Sequence, residues 1–191
     1  RPVSIYRPHF DVVLIAFLSS ASVHLDFIWT DSLSHNEVEE LAQLTLAIIE
    51  SPASIGFLAD TKLDALRQYW QQLDFSHKKL ALARDDTGQA VGTIQLNLAT
   101  PGNSLHRGEI AKLMVHPQAQ GLGVSTALLQ AAISKARELG LSLLVLDTLS
   151  DSKAAQIYEH LGWTKAGSIP NYASLPNGEL AATTFFYLKL V

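Results

Sequence analysis

Apolar residues recur at helical spacing in two early segments. In residues 35–51, Val38, Leu41, Leu44/Thr45 and Ile48 share one face, and Pro52 follows as a stop. In residues 61–73, Leu63, Leu66, Tyr69/Trp70 and Leu73 do the same. The pattern then changes to strand-like runs. Residues 79–98 read as two strands around the turn Asp86-Thr87-Gly88, a hairpin signal. A third strand follows in 108–117, where Pro117 cannot donate to a ladder and marks the end. Residues 123–140 read as a helix ended by Gly140. Residues 141–149 form a continuous apolar run, the pattern of a strand buried on both faces. A short helix over 152–162 ends at Gly162. Two last strands, 163–170 and 183–191, flank the turn-rich stretch 171–179.

This order predicts an α/β fold. The strand–helix–strand unit 109–149 is expected to be a right-handed parallel crossover. The earlier hairpin and the last two strands are expected to be antiparallel, giving a mixed sheet with helices on its faces. The chain has 191 residues, which predicts one domain over 23–191 and an N-terminal extension over 1–22. Within that extension Val12–Leu18, followed by Ser19-x-Ala21, has the shape of a signal-peptide core with a cleavage site. The run is acid-flanked and too short to span a bilayer. A buried element, or sequence foreign to the native protein, is the reading adopted.

Composition narrows the function classes. Net charge is −4, with no run of Lys or Arg, so neither nucleic acid nor a membrane surface is an expected partner. With no cysteine there is no thiolate nucleophile, disulfide or Cys-based metal site, and a reducing, cytoplasmic setting fits. The seven histidines are scattered without an H-x-x-x-H pair, so no metal is expected. There is no G-x-S-x-G elbow for Ser-His-Asp catalysis.

The sharpest feature is the turn Gln120-Gly121-Leu122-Gly123, between a strand and a helix. The first N–H groups of a helix lack intrahelical partners and carry partial positive charge. Glycines at 121 and 123 remove obstructing side chains and permit unusual backbone angles. Successive N–H groups of 121–126 can therefore wrap a pyrophosphate. A tight connection that needs glycine only for its geometry explains the fragment equally well. A dinucleotide fingerprint is a third reading, since Gly121, Gly123 and a later acid at Asp147 approach it. However, Thr126 takes the third glycine position, and "HPQAQ" separates strand from glycines.

Two segments carry a family likeness. "VHPQAQGLGVSTALL" resembles the acetyl-CoA-binding motif Q/R-x-x-G-x-G/A of the GNAT superfamily of N-acetyltransferases. Gln120 and Gly123 are in place, and Ser125 stands where Gly or Ala is usual; a Ser at a helix start can cap. "AAQIYEHLGW" resembles that superfamily's A-x-x-x-Y-x-x-x-G-F/W segment, with Ser152 in place of the usual Asn. Residues 80–191 are similar to the subgroup that includes the tabtoxin-resistance acetyltransferase, which suggests a resistance role.

The resemblance implies a GNAT-like, mostly antiparallel sheet with helices on both faces. It implies acetyl-CoA as co-substrate, gripped at Gln120, Gly121, Leu122, Gly123, Val124, Ser125 and Thr126. Its pantetheine arm would pair with the strand edge at Leu113, Met114 and Val115, where a backbone N–H would serve as oxyanion donor. Tyr158 would be the general acid, although Ile157, Tyr158 and Leu161 also make a plain apolar helix face. Glu109 and Asp147 would bind and deprotonate the amine; their alternatives are a solvated strand-end carboxylate and a capping residue. His106, Asn171 and Tyr172 are candidate substrate contacts, each equally readable as a loop residue.

The expected activity is direct acetyl transfer to the primary amine of an amino-acid-like or antibiotic-like small molecule. A homodimer is compatible with this. The alternatives are a non-catalytic acyl-CoA-binding sensor or scaffold, and a fragment of a nucleotide-binding oxidoreductase.

Overall fold

The structure, a computed structural model, describes residues 24–49 and 56–190. The run Val12–Leu18 and the stop at Pro52 lie outside the described residues. Seven strands and four helices follow in the order β1 (Asp26–Thr30), α1 (His35–Ile49), α2 (Leu63–Gln71), β2 (Lys78–Arg84), β3 (Ala90–Leu98), β4 (Arg107–Val115), α3 (Val124–Glu138), β5 (Leu143–Leu149), α4 (Lys153–His160), β6 (Thr164–Ser174) and β7 (Leu180–Lys189). They form one sheet in the order β1-β2-β3-β4-β5-β7-β6. Every neighbouring pair is antiparallel except β4 and β5, which run parallel. The mixed sheet expected from the pattern is therefore present. A doubly wound parallel sheet is not, and the oxidoreductase reading falls with it.

Both faces of the sheet's first half are covered. Along β2, Leu80 and Leu82 pack with Leu41, Leu44, Leu66 and Trp70 of α1 and α2 on the front face. Ala81 and Ala83 pack on the back face with Leu128, Leu129 and Ala132 of α3. Because successive strand side chains alternate, a strand buried on both faces loses its polar positions. The helix α1 begins with a reciprocal capping box. Ser34 N–H donates to Glu37 Oε2 at 2.8 Å, and Glu37 N–H donates to Ser34 Oγ at 3.3 Å. A buried polar link then ties α1 to α2: Trp70 Nε1 donates to Thr45 Oγ1 (3.0 Å), which donates to Leu41 O (2.6 Å). Arg84 makes a two-pronged contact with Glu40, both distances 2.8 Å, joining β2 to α1.

The second half departs from the sequence pattern. The run 141–149 is not buried on both faces. Leu144 and Leu146 are buried on the back, while Leu143 and Val145 are half-buried and Asp147 is exposed on the front. Its apolar front residues line an open cavity instead of meeting a helix. Strand β1 was not foreseen, because "DFIWT" alternates too briefly to signal itself. The last strands are longer than expected. Residues 171–174 belong to β6, and the reversal is confined to 175–179, where Gly178 N–H donates to Leu175 O at 2.8 Å. Every residue of this edge strand β6 is exposed.

Close packing sets Gly92. A Cβ at Gly92 in β3 would lie 3.0 Å from Leu128 Cδ1 and from Met114 O, and 3.2 Å from Val124 Cγ1. Gly92 therefore lets the first turn of α3 sit directly on β3 beside the end of β4. Gly92→Ala is expected to lower stability by about 1–3 kcal/mol, read as a lower denaturation midpoint at unchanged m-value. Thr45→Val is expected to cost about 1–3 kcal/mol by orphaning Trp70 Nε1, with Trp70 fluorescence following the same transition.

Candidate active site

The parallel pair β4/β5 holds for only three positions: Arg107↔Leu143, Gly108↔Leu144 and Glu109↔Val145. Beyond them β4 runs on to Val115 and β5 to Leu149 without pairing, so the strands part and leave a gap. A bulge in β4 accompanies the parting. The register to β3 shifts between Thr93↔Met114 and Gln95↔Ala111, and Lys112 sits at φ 49°. At the end of β4, His116 N–H donates across to Val91 O at 2.8 Å. By alternation Val115 presents its N–H and C=O to the opposite side, into the gap. Gln120 Nε2 reaches that carbonyl at 3.4 Å.

The glycine turn closes this end of the gap. Gly121 and Gly123 have φ of 80° and 82°, and a Cβ on either would meet no atom within 4 Å. They serve backbone angle, with open space above them. Gly123 itself occupies the N-cap of α3, with no side-chain cap. The expectation that Ser125 could cap is therefore corrected: the helix starts at Val124, and Ser125 lies inside its first turn. The N–H groups of Val124, Ser125 and Thr126 thus face outward without intrahelical acceptors. Leu122 is exposed beside them, while Leu113, Met114 and Val115 form the β4 edge.

Tyr158 lies on α4 within the back-face core. It is 5% exposed and packs against Trp163 and Phe186, with ring centroids 5.9 and 5.8 Å away. Burial, and then the charge of Asp147, push its phenol up to about 12. It is therefore both a core aromatic and a protonated donor beside the carboxylate. At α4, Ser152 supplies the N-cap, accepting from Ala155 N–H at 3.1 Å. The Ser in place of Asn keeps the capping function, and Asp147 is not the cap.

Glu109 and Asp147 share the front face. Val145 is the partner of Glu109, and Asp147 lies two residues further on, about 7 Å along the strand. Both line an open cavity of 560 Å³ with Val145, Ala166, Phe185 and Tyr187. Although Asp147 is open to solvent on one side, desolvation against the cavity wall pushes its carboxyl up, and nearby Lys112 partly offsets this.

Of the three expected substrate contacts, His106 lies away from the cavity. His106 is exposed in the turn before β4, where its carbonyl accepts from Ser142 N–H (2.9 Å). That is the opposite end of β5, about 16 Å from Asp147 along the strand. Asn171 and Tyr172 are strand residues, not loop residues. Asn171 has φ 54° within a β6 bulge, and Tyr172 packs edge-on against Phe185, 5.3 Å between centroids. Tyr172 therefore borders the cavity through Phe185.

Sequence reading missed Lys78, Gln95 and Lys112. Lys78 Nζ donates to Gln95 Oε1 at 3.2 Å. Lys112 Nζ lies over the rings of Phe57 (4.7 Å) and Tyr69 (5.7 Å). Alternation in "TIQLNL" looks like a solvated face, but α2 covers it. A lysine inside the apolar run "IAKLMV" was the available sign of the bulge.

The fold is that of the GCN5-related N-acetyltransferases. A structure assigned as a phosphinothricin N-acetyltransferase superposes with TM-score 0.72 at 18% identity, covering 87% of this chain and 99% of the other. The yncA protein of Salmonella typhimurium, solved with its cofactor acetyl-CoA, superposes at 0.70 with 17% identity, covering 88% and 95%. The sequence profile of the Acetyltransferase (GNAT) family matches residues 45–163, and the chain belongs to that family. Membership bears out the acyltransferase class expected from the two motif segments. A mycothiol acetyltransferase of Propionibacterium freudenreichii subsp. shermanii is 30% identical over 146 residues, 74% of this chain and 45% of the relative. The chain thus spans less than half the length of that relative.

A raised phenol leaves a signature in stability. Tyr158 titrates near 10 when unfolded and about 12 when folded. Its contribution is fully present below pH 10 and is lost as pH rises toward 12. The expected slope over that window is about 1.4 kcal/mol per pH unit. Denaturation at stepped pH should show it, and Tyr158→Phe should remove it.

Proposed function

We propose that this chain transfers an acetyl group from acetyl-CoA directly to the primary amine of a small molecule. The observation that carries the reading is the gap between β4 and β5, with the uncapped start of α3 at one end and Tyr158, Glu109 and Asp147 around it. The residues present suit the cofactor. Open space over Gly121 and Gly123, and outward N–H groups at 124–126, suit a pyrophosphate. The free edge of β4 at Leu113–Val115 suits an amide-bearing arm. When bound, acetyl-CoA would supply the activated acyl group.

The remaining chemistry falls to the chain. Glu109 and Asp147 hold the incoming ammonium and take its proton, directly or through water. A carboxylate pushed up by burial is a better proton acceptor than a solvated one. The Val115 N–H, facing the gap, is the donor for a developing oxyanion. Tyr158 holds its proton at any physiological pH and can release it to a departing thiolate. Holding amine and thioester on either side of one gap supplies much of the rate. The apolar cavity over Val145, Phe185 and Tyr187 would receive the body of the acceptor. Likeness to phosphinothricin and mycothiol acetyltransferases supports a small-molecule amine.

Calorimetric titration of the chain should give micromolar binding of acetyl-CoA and none of NADH. Absence of acetyl-CoA binding overturns the reading. In a thiol-release assay over an amine panel, Tyr158→Phe should lower kcat by about 100-fold or more with the KM for acetyl-CoA little changed. Rate should fall as pH drops through the raised pKa of Asp147, and Asp147→Asn should abolish that limb of the profile.

A further inference from the structure

The open half of the sheet carries a second charged end that the transfer chemistry leaves unused. Cross-strand register sets the side chains of its front face in rows. Glu109, Val145 and Tyr187 form one row, and Asp147 and Phe185 lie above it. Arg107, Leu143 and Lys189 form the row below, toward the start of β5. Arg107 lies two residues before Glu109 on β4, so alternation puts it on the same face. Ile110 confirms the phase, since it is buried in the core on the back. Leu143 and Lys189 line the same cavity as Glu109 and Asp147.

Charge along this groove is therefore segregated. Two carboxylates stand at one end and two cations at the other. Arg107 and Lys189 are exposed, and neither belongs to an ion pair among the described residues. Arg107 does not fold back onto Glu109, its near neighbour on the strand, so both keep their charge for a partner in the groove. The floor between the two ends is apolar, made by Leu143, Val145, Phe185 and the ring of Tyr187. The lower row lies about 7 Å from the Glu109 row and about 13 Å from Asp147 along β5. An anion at the lower row thus lies roughly 7–10 Å from an amine held between the two carboxylates. The amine and acid of an α-amino acid share one carbon and cannot reach both ends.

We propose that Arg107 and Lys189 form an anion-binding end of the acceptor cavity, so that the preferred acceptor is elongated. Its primary amine lies at Glu109 and Asp147, its apolar body along Val145 and Tyr187, and a carboxylate at its far end. An extended chain advances roughly 1.3 Å per bond, so the span corresponds to about five to seven methylene groups. This rests on the acetyltransfer reading above and narrows it, because compact α-amino acids reach only one end of the groove and are poor acceptors.

The test uses the whole chain with acetyl-CoA and three acceptors: 6-aminohexanoate, 8-aminooctanoate and the short 3-aminopropanoate, each against its primary amide. The amide keeps length and amine but removes the negative charge. For the two long acceptors the expected acid-to-amide ratio of kcat/KM is about ten. For the short one it is about one or less. Added salt should lower the ratio of the long acceptors, because the cations are exposed. Arg107→Gln and Lys189→Gln should each lower it, and the double substitution should bring it to about one. Thermal melts identify any variant that fails to fold, and the remaining single substitution then carries the comparison. A ratio of one or below for both long acceptors overturns the proposal. So does an equally high ratio for the short acid, or a ratio that survives the substitutions. Acetyl-CoA binding without turnover of either long acceptor also overturns it and leaves the cofactor reading standing. Failure of acetyl-CoA to bind removes both.

Discussion

The parting of β4 from β5 is the constraint on which the rest of the structure depends. Two parallel strands that stayed paired would satisfy their own N–H and C=O groups and leave no opening in the sheet. Here pairing stops at Glu109 and Val145, and the bulge at Lys112 turns β4 away. In the proposed reading, backbone donors from β4, the phenol of Tyr158 and the carboxylates of Glu109 and Asp147 act around this space. No single element could bring that set together.

The packing around the gap explains how it stays open. Gly92 lets α3 sit on β3 so closely that its uncapped first turn ends beside Val115. Tyr158 is wedged among Trp163 and Phe186, which gives its hydroxyl a defined place and a proton that burial keeps. On the front, α1 and α2 are tied to each other through Trp70 and Thr45 and to β2 through Arg84 and Glu40. They cover β2 to β4 and leave β5 and β7 bare, so the cavity forms where helical cover ends.

The sequence by itself determined the element order, the hairpin, the parallel crossover, the glycine turn and the motif positions of Gln120, Gly123 and Tyr158. These are local signals: apolar period, turn chemistry and short spacings survive without knowledge of neighbours. Tertiary structure alone decided what each strand face meets. The run 141–149 reads as doubly buried, yet no helix covers its front, so its apolar side chains line a cavity. Gln95 reads as solvated, yet α2 buries it. His106 lies three residues before Glu109 in sequence, but at the far end of the paired strands from Asp147. Asn171 and Tyr172 read as turn residues, but pairing with β7 draws them into β6. Periodicity reports which side of an element a residue occupies. What lies on that side depends on elements distant in sequence, and on where pairing between strands breaks off.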